Sequence, residues 1–426
     1  MRGKPSRCGI LLFGYPLGVS DVVTHTARRL AGLGYEIDLF VDEVSFAESP
    51  FHSDNPSICI KVVSLNRKSE GILLDSRGVP CRGGFQSAVR KWPSLDAFLQ
   101  QNSSFPRFPL YLSKVRDLAG AGNHHLLIGI EPFGLIAARF MQLFCDAPLL
   151  YYNMELFQRR NCRSEDMTML KDLEIEASRE CTFTVIQDEE RAKIFVRENG
   201  IEWDRLQFLP VSTSGPAVTG RSDYFRRLFD LPEEKRIIVY AGHITGWAMC
   251  REIVEAAQNW PENHVLVMNT WKENASCESY FQEMVRAAGP NCFFNTRPIR
   301  RELFTEALSS ADVALMFYRP IDENFTETGS SSNKLAHYLQ AGLPVVASDF
   351  PSIKRILDRY GCGITVSHPV DAAHAIGVIL HEHESFREAA RMAFQDHFDF
   401  DRAFSPVQEK IEKLLTCTDG VRSLRV

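Results

Sequence analysis

The chain has 426 residues, 45% of them hydrophobic and 24% charged, a balance that excludes a disordered or fibrous protein and a length that exceeds one ordinary core. The formal charge of -6 excludes the overall basic character of a nucleic-acid binder, so no nucleic-acid partner is expected. Eleven cysteines, an odd number without any Cys-x-x-Cys pair, read as reduced thiols and not as a zinc or redox motif.

From the N-terminus, basic residues precede the apolar run Ile10–Phe13, which stops at Gly14 and is too short for a signal peptide; it reads as a strand. The turn Gly14, Pro16, Gly18 follows, with small residues that permit close backbone approach to a ligand. It does not spell Gly-x-Gly-x-x-Gly, so no nicotinamide cofactor is expected. Val22, Val23, Thr26, Ala27, Leu30 and Ala31 fall at helical spacing, and Glu36–Val41 is the next strand. Further strands are expected at Leu126–Ile130, Leu149–Asn153 and Phe183–Gln187. Periodicity is lost from Val211 to Asp223, which reads as a linker. A second series follows at Arg236–Gly242, Val265–Asn269, Cys292–Asn295, Val313–Tyr318, Pro344–Ser348 and Gly363–Val366. Alternation of this kind predicts an α/β protein with two Rossmann-like domains facing a central cleft. The expected boundaries are 1–211, 212–395 and a C-terminal crossover helix over 396–426. No stretch has the roughly 18–20 apolar residues of a membrane span, and the expected location is the cytoplasm.

The segment Gly329–Asp349 carries the most chemistry. Ser331 or Ser332 caps a helix with an apolar face of Leu335, Tyr338 and Leu339, and Gly342 and Pro344 end it. A helix N-terminus attracts phosphate, whereas Lys334 in its first turn opposes the dipole by about 0.3–1 kcal/mol unless an anion is bound. A solvated surface lysine is the alternative.

NKLAHYLQAGLPVVASD resembles the donor-site segment of retaining GT-B glycosyltransferases of family four, Asn-Lys-Leu-Phe-Glu-Tyr followed by Ala-x-Gly-x-Pro-Val. The resemblance extends through RELFTEALSSADVALMFYRP and YGCGITV, and more weakly through PLGVSDVVTHTARRLAGLGYEIDLF. It implies a hexosyl- or N-acetylhexosaminyltransferase that takes a nucleotide sugar such as a UDP- or GDP-sugar, retains configuration, and needs no metal or other cofactor. Ser331, Ser332, Asn333 and Lys334 would hold the donor diphosphate. The family's two glutamates map onto Gly329 and His337, with Glu327 as a replacement for the first carboxylate. His243 stands where the family has an arginine, Arg251 follows on the next helix, and Arg297 and Ile299 lie in the loop that frames the base. His243 has a structural alternative.

In the N-terminal half, Glu131 and Glu155 follow predicted strands and either orient acceptor hydroxyls and stabilise an oxocarbenium-like transition state or serve as helix N-terminal carboxylates. Asp399-Phe-Asp401 spells a metal-binding Asp-x-Asp of a different fold, but lies outside any strand end. The acceptor is expected to be a glycan, a lipid-linked glycan or a small molecule. From Arg82 to Arg116, six basic residues stand against the single acid Asp96, interleaved with Phe85, Trp92, Phe98, Phe105, Phe108 and Tyr111. That composition suits peripheral contact with the inner membrane face or, alternatively, an insertion whose rings pack on the domain. The rival functions are a nucleotide-sugar epimerase of the same architecture and a catalytically weakened sugar-nucleotide binding subunit.

Overall fold

The computed structural model describes residues 6–17, 21–66, 83–120, 124–270 and 278–422, so Gly18 and Arg82 lie outside the described residues. The chain divides into two compact units, Met1–Leu209 with Phe404–Val426, and Pro210–Ala403.

The first unit holds seven parallel strands: β1 Arg7–Leu11, β2 Glu36–Asp42, β3 Ile58–Val63, β4 Leu126–Ile130, β5 Leu149–Tyr152, β6 Phe183–Ile186 and β7 Leu206–Phe208. Their spatial order is β3-β2-β1-β4-β5-β6-β7. The second unit holds six: β8 Arg236–Ala241, β9 His264–Asn269, β10 Cys292–Asn295, β11 Val313–Met316, β12 Val345–Ser348 and β13 Gly363–Val366, ordered β10-β9-β8-β11-β12-β13. Each is a doubly wound sheet whose order reverses once, between β1 and β4 and between β8 and β11, and such reversals open a crevice at the carboxyl ends of the strands.

Burial on both faces explains the near-continuous apolar runs. In β8, Ile237, Val239 and Ala241 join one core while Ile238 and Tyr240 join the core on the opposite face. β3 and β7 escape the sequence reading because Lys61 interrupts the short apolar run Ile58–Val63 and Leu206–Phe208 is only three residues long. The aperiodic stretch after Val211 is held by specific bonds within the second unit: Thr213 Oγ1 donates to Gln340 Oε1 (2.8 Å) and Val218 N to Gln340 O (2.8 Å).

The basic and aromatic segment is not a surface belt. Phe85, Trp92, Phe98, Phe108 and Tyr111 are buried, and Phe105 packs against the same core. Lys114 is buried too, and Arg116 lies over the Phe144 ring. These rings are unavailable to lipid headgroups, which removes the aromatic half of the membrane expectation. Among the described residues no helix is long and apolar enough to cross a membrane.

At the amino edge of the first sheet, Asp38 of β2 gathers Arg7 Nε (2.7 Å), Lys61 Nζ (3.0 Å) and His124 Nε2 (2.9 Å) from neighbouring chain segments. Burial pushes the Asp38 carboxyl up, but hydrogen bonds from His124 and Lys61 and the charges of Lys61 and Arg7 outweigh it and bring it down to about 2. A depressed carboxylate contributes stability that is complete above its ordinary value of 3.8 and is lost as pH falls through about 2. Asp38→Asn is expected to lower stability at neutral pH by about 2–3 kcal/mol, below the usual cost of breaking a fully buried pair because Arg7 and Lys61 keep some solvent. Denaturant titrations at neutral and acid pH check this: the variant should lose the wild type's added acid sensitivity below pH 4.

Candidate functional site

In the second unit the helix Asn333–Gln340 starts beside the β8/β11 reversal. Ser332 is its cap, accepting from Leu335 N (3.3 Å). Among the described residues the amides of Asn333 and Lys334 have no protein acceptor, and the buried Asn333 Oδ1 has no partner. Lys334 extends across Gly242, where φ is 153° and an added Cβ would collide with Lys334 Cε. Glycine at the end of β8 is therefore a condition for the lysine's position. The ammonium lies 5.2, 5.3 and 4.8 Å from the ring centres of Tyr240, Trp247 and Tyr318, and donates to Tyr318 Oη at 3.4 Å. Trp247 stacks on Tyr318 (6.0 Å, 11°) and meets Phe325 at 5.5 Å. The cation thus sits in an aromatic cage with, among the described residues, no carboxylate paired to it.

Around this centre the sequence-predicted residues separate. Ser331, Ser332 and Asn333 join Lys334 at the helix start; Ser331 Oγ donates to the Glu327 carbonyl (3.4 Å). Glu327 follows the short helix Glu323–Thr326 and lies two residues beyond Phe325. His243 presents its backbone: its carbonyl accepts from Tyr240 Oη at 2.5 Å, and its ring lies 6.5 Å from Trp247. Arg251 is exposed and its Nε donates to Glu255 at 2.8 Å on its own helix, so its guanidinium is engaged away from the cage. Arg297 is exposed in the turn after β10, where its backbone exchanges bonds with Asn295, while Ile299 packs on the core. Asp399 Oδ1 accepts from Arg402 N (3.0 Å), the bond of a helix start.

The two positions that depart from the family glutamates have structural reasons. Gly329 is packed so that a Cβ would strike the Ser352 carbonyl, and its N–H donates to Ser352 Oγ (3.2 Å). No side chain fits there without moving the backbone. Burial, aided by the charge of Arg301, pushes the His337 imidazole down to about 4, so it is neutral at pH 7.

The first unit has its own cleft of about 340 Å³ at the β1/β4 reversal. Phe13 and Tyr15 reach it from the turn after β1, Phe133 from the helix after β4, and Phe105, Phe157 and Met167 close it. Glu131 and Glu155 border it together. Glu131 Oε1 accepts from Met154 N (2.6 Å) and Glu155 N (2.9 Å), and its φ of 59° is in the left-handed region, a strain of about 1–3 kcal/mol for a non-glycine residue. Burial first, then the charge of Glu155, push Glu131 up to about 8 against the pull of those amides. Glu155 is 61% exposed and lies 3.8 Å from the buried guanidinium of Arg191.

No family model matches this chain, and no curated protein matches it. Among solved structures, sucrose-phosphate synthase from Thermosynechococcus elongatus is similar at a TM-score of 0.68 and 13% identity, over 97% of this chain and 100% of that one. HepE from Anabaena, in complex with UDP, is similar at 0.67 and 10% identity, over 96% and 100%. A glycosyltransferase from Rickettsia africae is similar at 0.65 and 11% identity, over 97% and 99%. The fold is GT-B, with two Rossmann-like domains.

A carboxyl raised from 4.5 to about 8 keeps its proton in the folded chain while the unfolded chain releases it, so stability falls as pH rises across that window. Glu131→Gln retains an oxygen for both amides and carries no charge. Unfolding midpoints should show the wild type losing on the order of 2–4 kcal/mol between about pH 5 and about pH 8.5, and the variant losing much less.

Proposed function

We propose that the protein is a metal-independent, retaining glycosyltransferase that moves a hexosyl or N-acetylhexosaminyl group from a nucleoside diphosphate sugar to an acceptor hydroxyl. The observation that carries this reading is Lys334, a cation without a carboxylate partner among the described residues, at a helix start whose first amides are unpaired, beside the strand reversal of the second unit. Cation and amides together form a site for a diphosphate. Further support comes from HepE, a structural neighbour solved with UDP-glucose.

In this reading the bond from the anomeric carbon to the diphosphate oxygen breaks and its electron pair leaves on the diphosphate. The acceptor oxygen forms the new bond on the same face, and its proton passes to the departing diphosphate. Lys334 and the amides of Asn333 and Lys334 stabilise the charge that develops on the leaving group. The first unit takes the acceptor at its cleft, where Glu155 accepts from the hydroxyl and Glu131, protonated at neutral pH, is able to donate as well as accept.

A second reading, a sugar-nucleotide binding subunit without turnover, is favoured by Gly329 alone, because its packing excludes the family carboxylate. Product formation by the purified chain separates the two.

Lys334→Ala should weaken binding of UDP or GDP by about 1.5–3 kcal/mol, the range for a charged hydrogen bond, with circular dichroism unchanged. Equal affinity of variant and wild type in calorimetric titration would reject the site. Transfer should also persist in excess chelator; loss that magnesium or manganese restores would reject metal independence.

A further inference from the structure

The first-unit cleft has a composition that speaks to the acceptor itself. Phe13, Phe105 and Phe133 meet edge-on, with Phe13 and Phe133 at 5.2 Å and 65° and Phe105 and Phe133 at 4.9 Å and 69°. These rings pack on one another and line the cleft at angles, offering no flat platform for a sugar ring. Phe157, Met167 and Leu170 complete an apolar lining. Among the described residues, polar side chains on the lining are Tyr15, Glu131 and Glu155, and one Glu131 oxygen is already taken by two backbone amides. Hydroxyls of a polyol that face the wall of Phe13, Phe105, Phe133, Phe157, Met167 and Leu170 would find no partners there. A ring system carrying a single hydroxyl would leave none unsatisfied. A volume of 340 Å³ is near the lower end of the about 300–1,000 Å³ typical of small-molecule sites, which suits one compact ring system.

Resting on the transferase reading, we propose that the acceptor is a small aryl alcohol, bound with its rings among Phe13, Phe105, Phe133 and Phe157 and its hydroxyl at the Glu131–Glu155 rim.

Umbelliferone, a fused-ring phenol, and maltose, a polyol, are the probes for equilibrium dialysis against the full chain. Saturable umbelliferone binding is expected, with no maltose binding. Met167→Trp, at a half-exposed position on the lining, should fill the cleft and weaken umbelliferone binding about tenfold or more. UDP binding by the same variant reports that the protein is folded. Phe105→Ala, which enlarges the cleft, should also weaken umbelliferone and serves where Met167→Trp does not fold. Umbelliferone binding that both lining changes leave untouched, or none in the wild type, overturns the assignment. If umbelliferone binds as expected but neither UDP nor GDP binds, the aryl site stands and the transferase reading alone fails.

Discussion

The hydroxyl of Tyr338 holds the second unit's site together. Strands β8 and β11 are paired only at Val313 with Ile238 and Ala314 with Val239, and beyond that point their backbones diverge. Tyr338 Oη enters the gap, accepts from Ala241 N (2.8 Å) and lies 3.2 Å from both the Ala241 and Leu315 carbonyls. Buried backbone groups that lose their sheet partners must find others, and one phenol meets that need for both strands. Because Tyr338 belongs to the helix Asn333–Gln340, the same bonds fix where that helix begins. The position of Lys334 follows from a hydroxyl one helical turn further along.

The two strand reversals carry opposite chemistry. One has a cation, unpaired amides and a glycine that makes room for them; the other has aromatic walls and two carboxyl groups. Neither arrangement follows from the fold, which is common to both units. Each is set by what stands just beyond the carboxyl ends of the strands. In the second unit that is Gly242, Trp247 and Tyr318. In the first it is Phe13, Glu131 and Phe133.

That location also explains what could be read from residue order. The strand series, the two-sheet plan and the capped helix at Ser332 were all legible, because apolar runs and cap residues are local signals. The aromatic cage was not. Val313–Tyr318 reads as one strand, yet β11 ends at Met316, which turns Tyr318 out of the ladder and over Lys334. Ile10–Phe13 reads the same way, yet β1 ends at Leu11 and Phe13 enters the cleft. An aromatic residue at a strand end satisfies the strand pattern and the site equally, so periodicity cannot distinguish them. Arg251 and Arg297, placed by the resemblance, lie apart from the cage: Arg251 bonds to Glu255 on its own helix and Arg297 is exposed in the turn after β10.

Glu131 and Glu155 read alike in sequence but differ in environment. Asn153 Nδ2 donates to Glu155 O (3.0 Å), Gln187 Nε2 to Asn153 O (2.6 Å) and Arg191 to Met154 O (2.9 Å). From the other side Glu131 takes the Met154 and Glu155 amides. Behind them Tyr151 donates to Glu174, which is paired in turn with the buried Lys171. With Asn153 N donating to Val185 O (3.0 Å), the backbone of residues 153–155 is held at three carbonyls and three amides, while of the three side chains that of Glu155 extends to solvent. Order of this kind is what a carboxylate needs in order to meet a ligand without first being positioned by it. The strained Glu131 belongs to that network through the Met154 and Glu155 amides, whereas the Glu155 carboxylate is largely exposed and lies 3.8 Å from the Arg191 guanidinium.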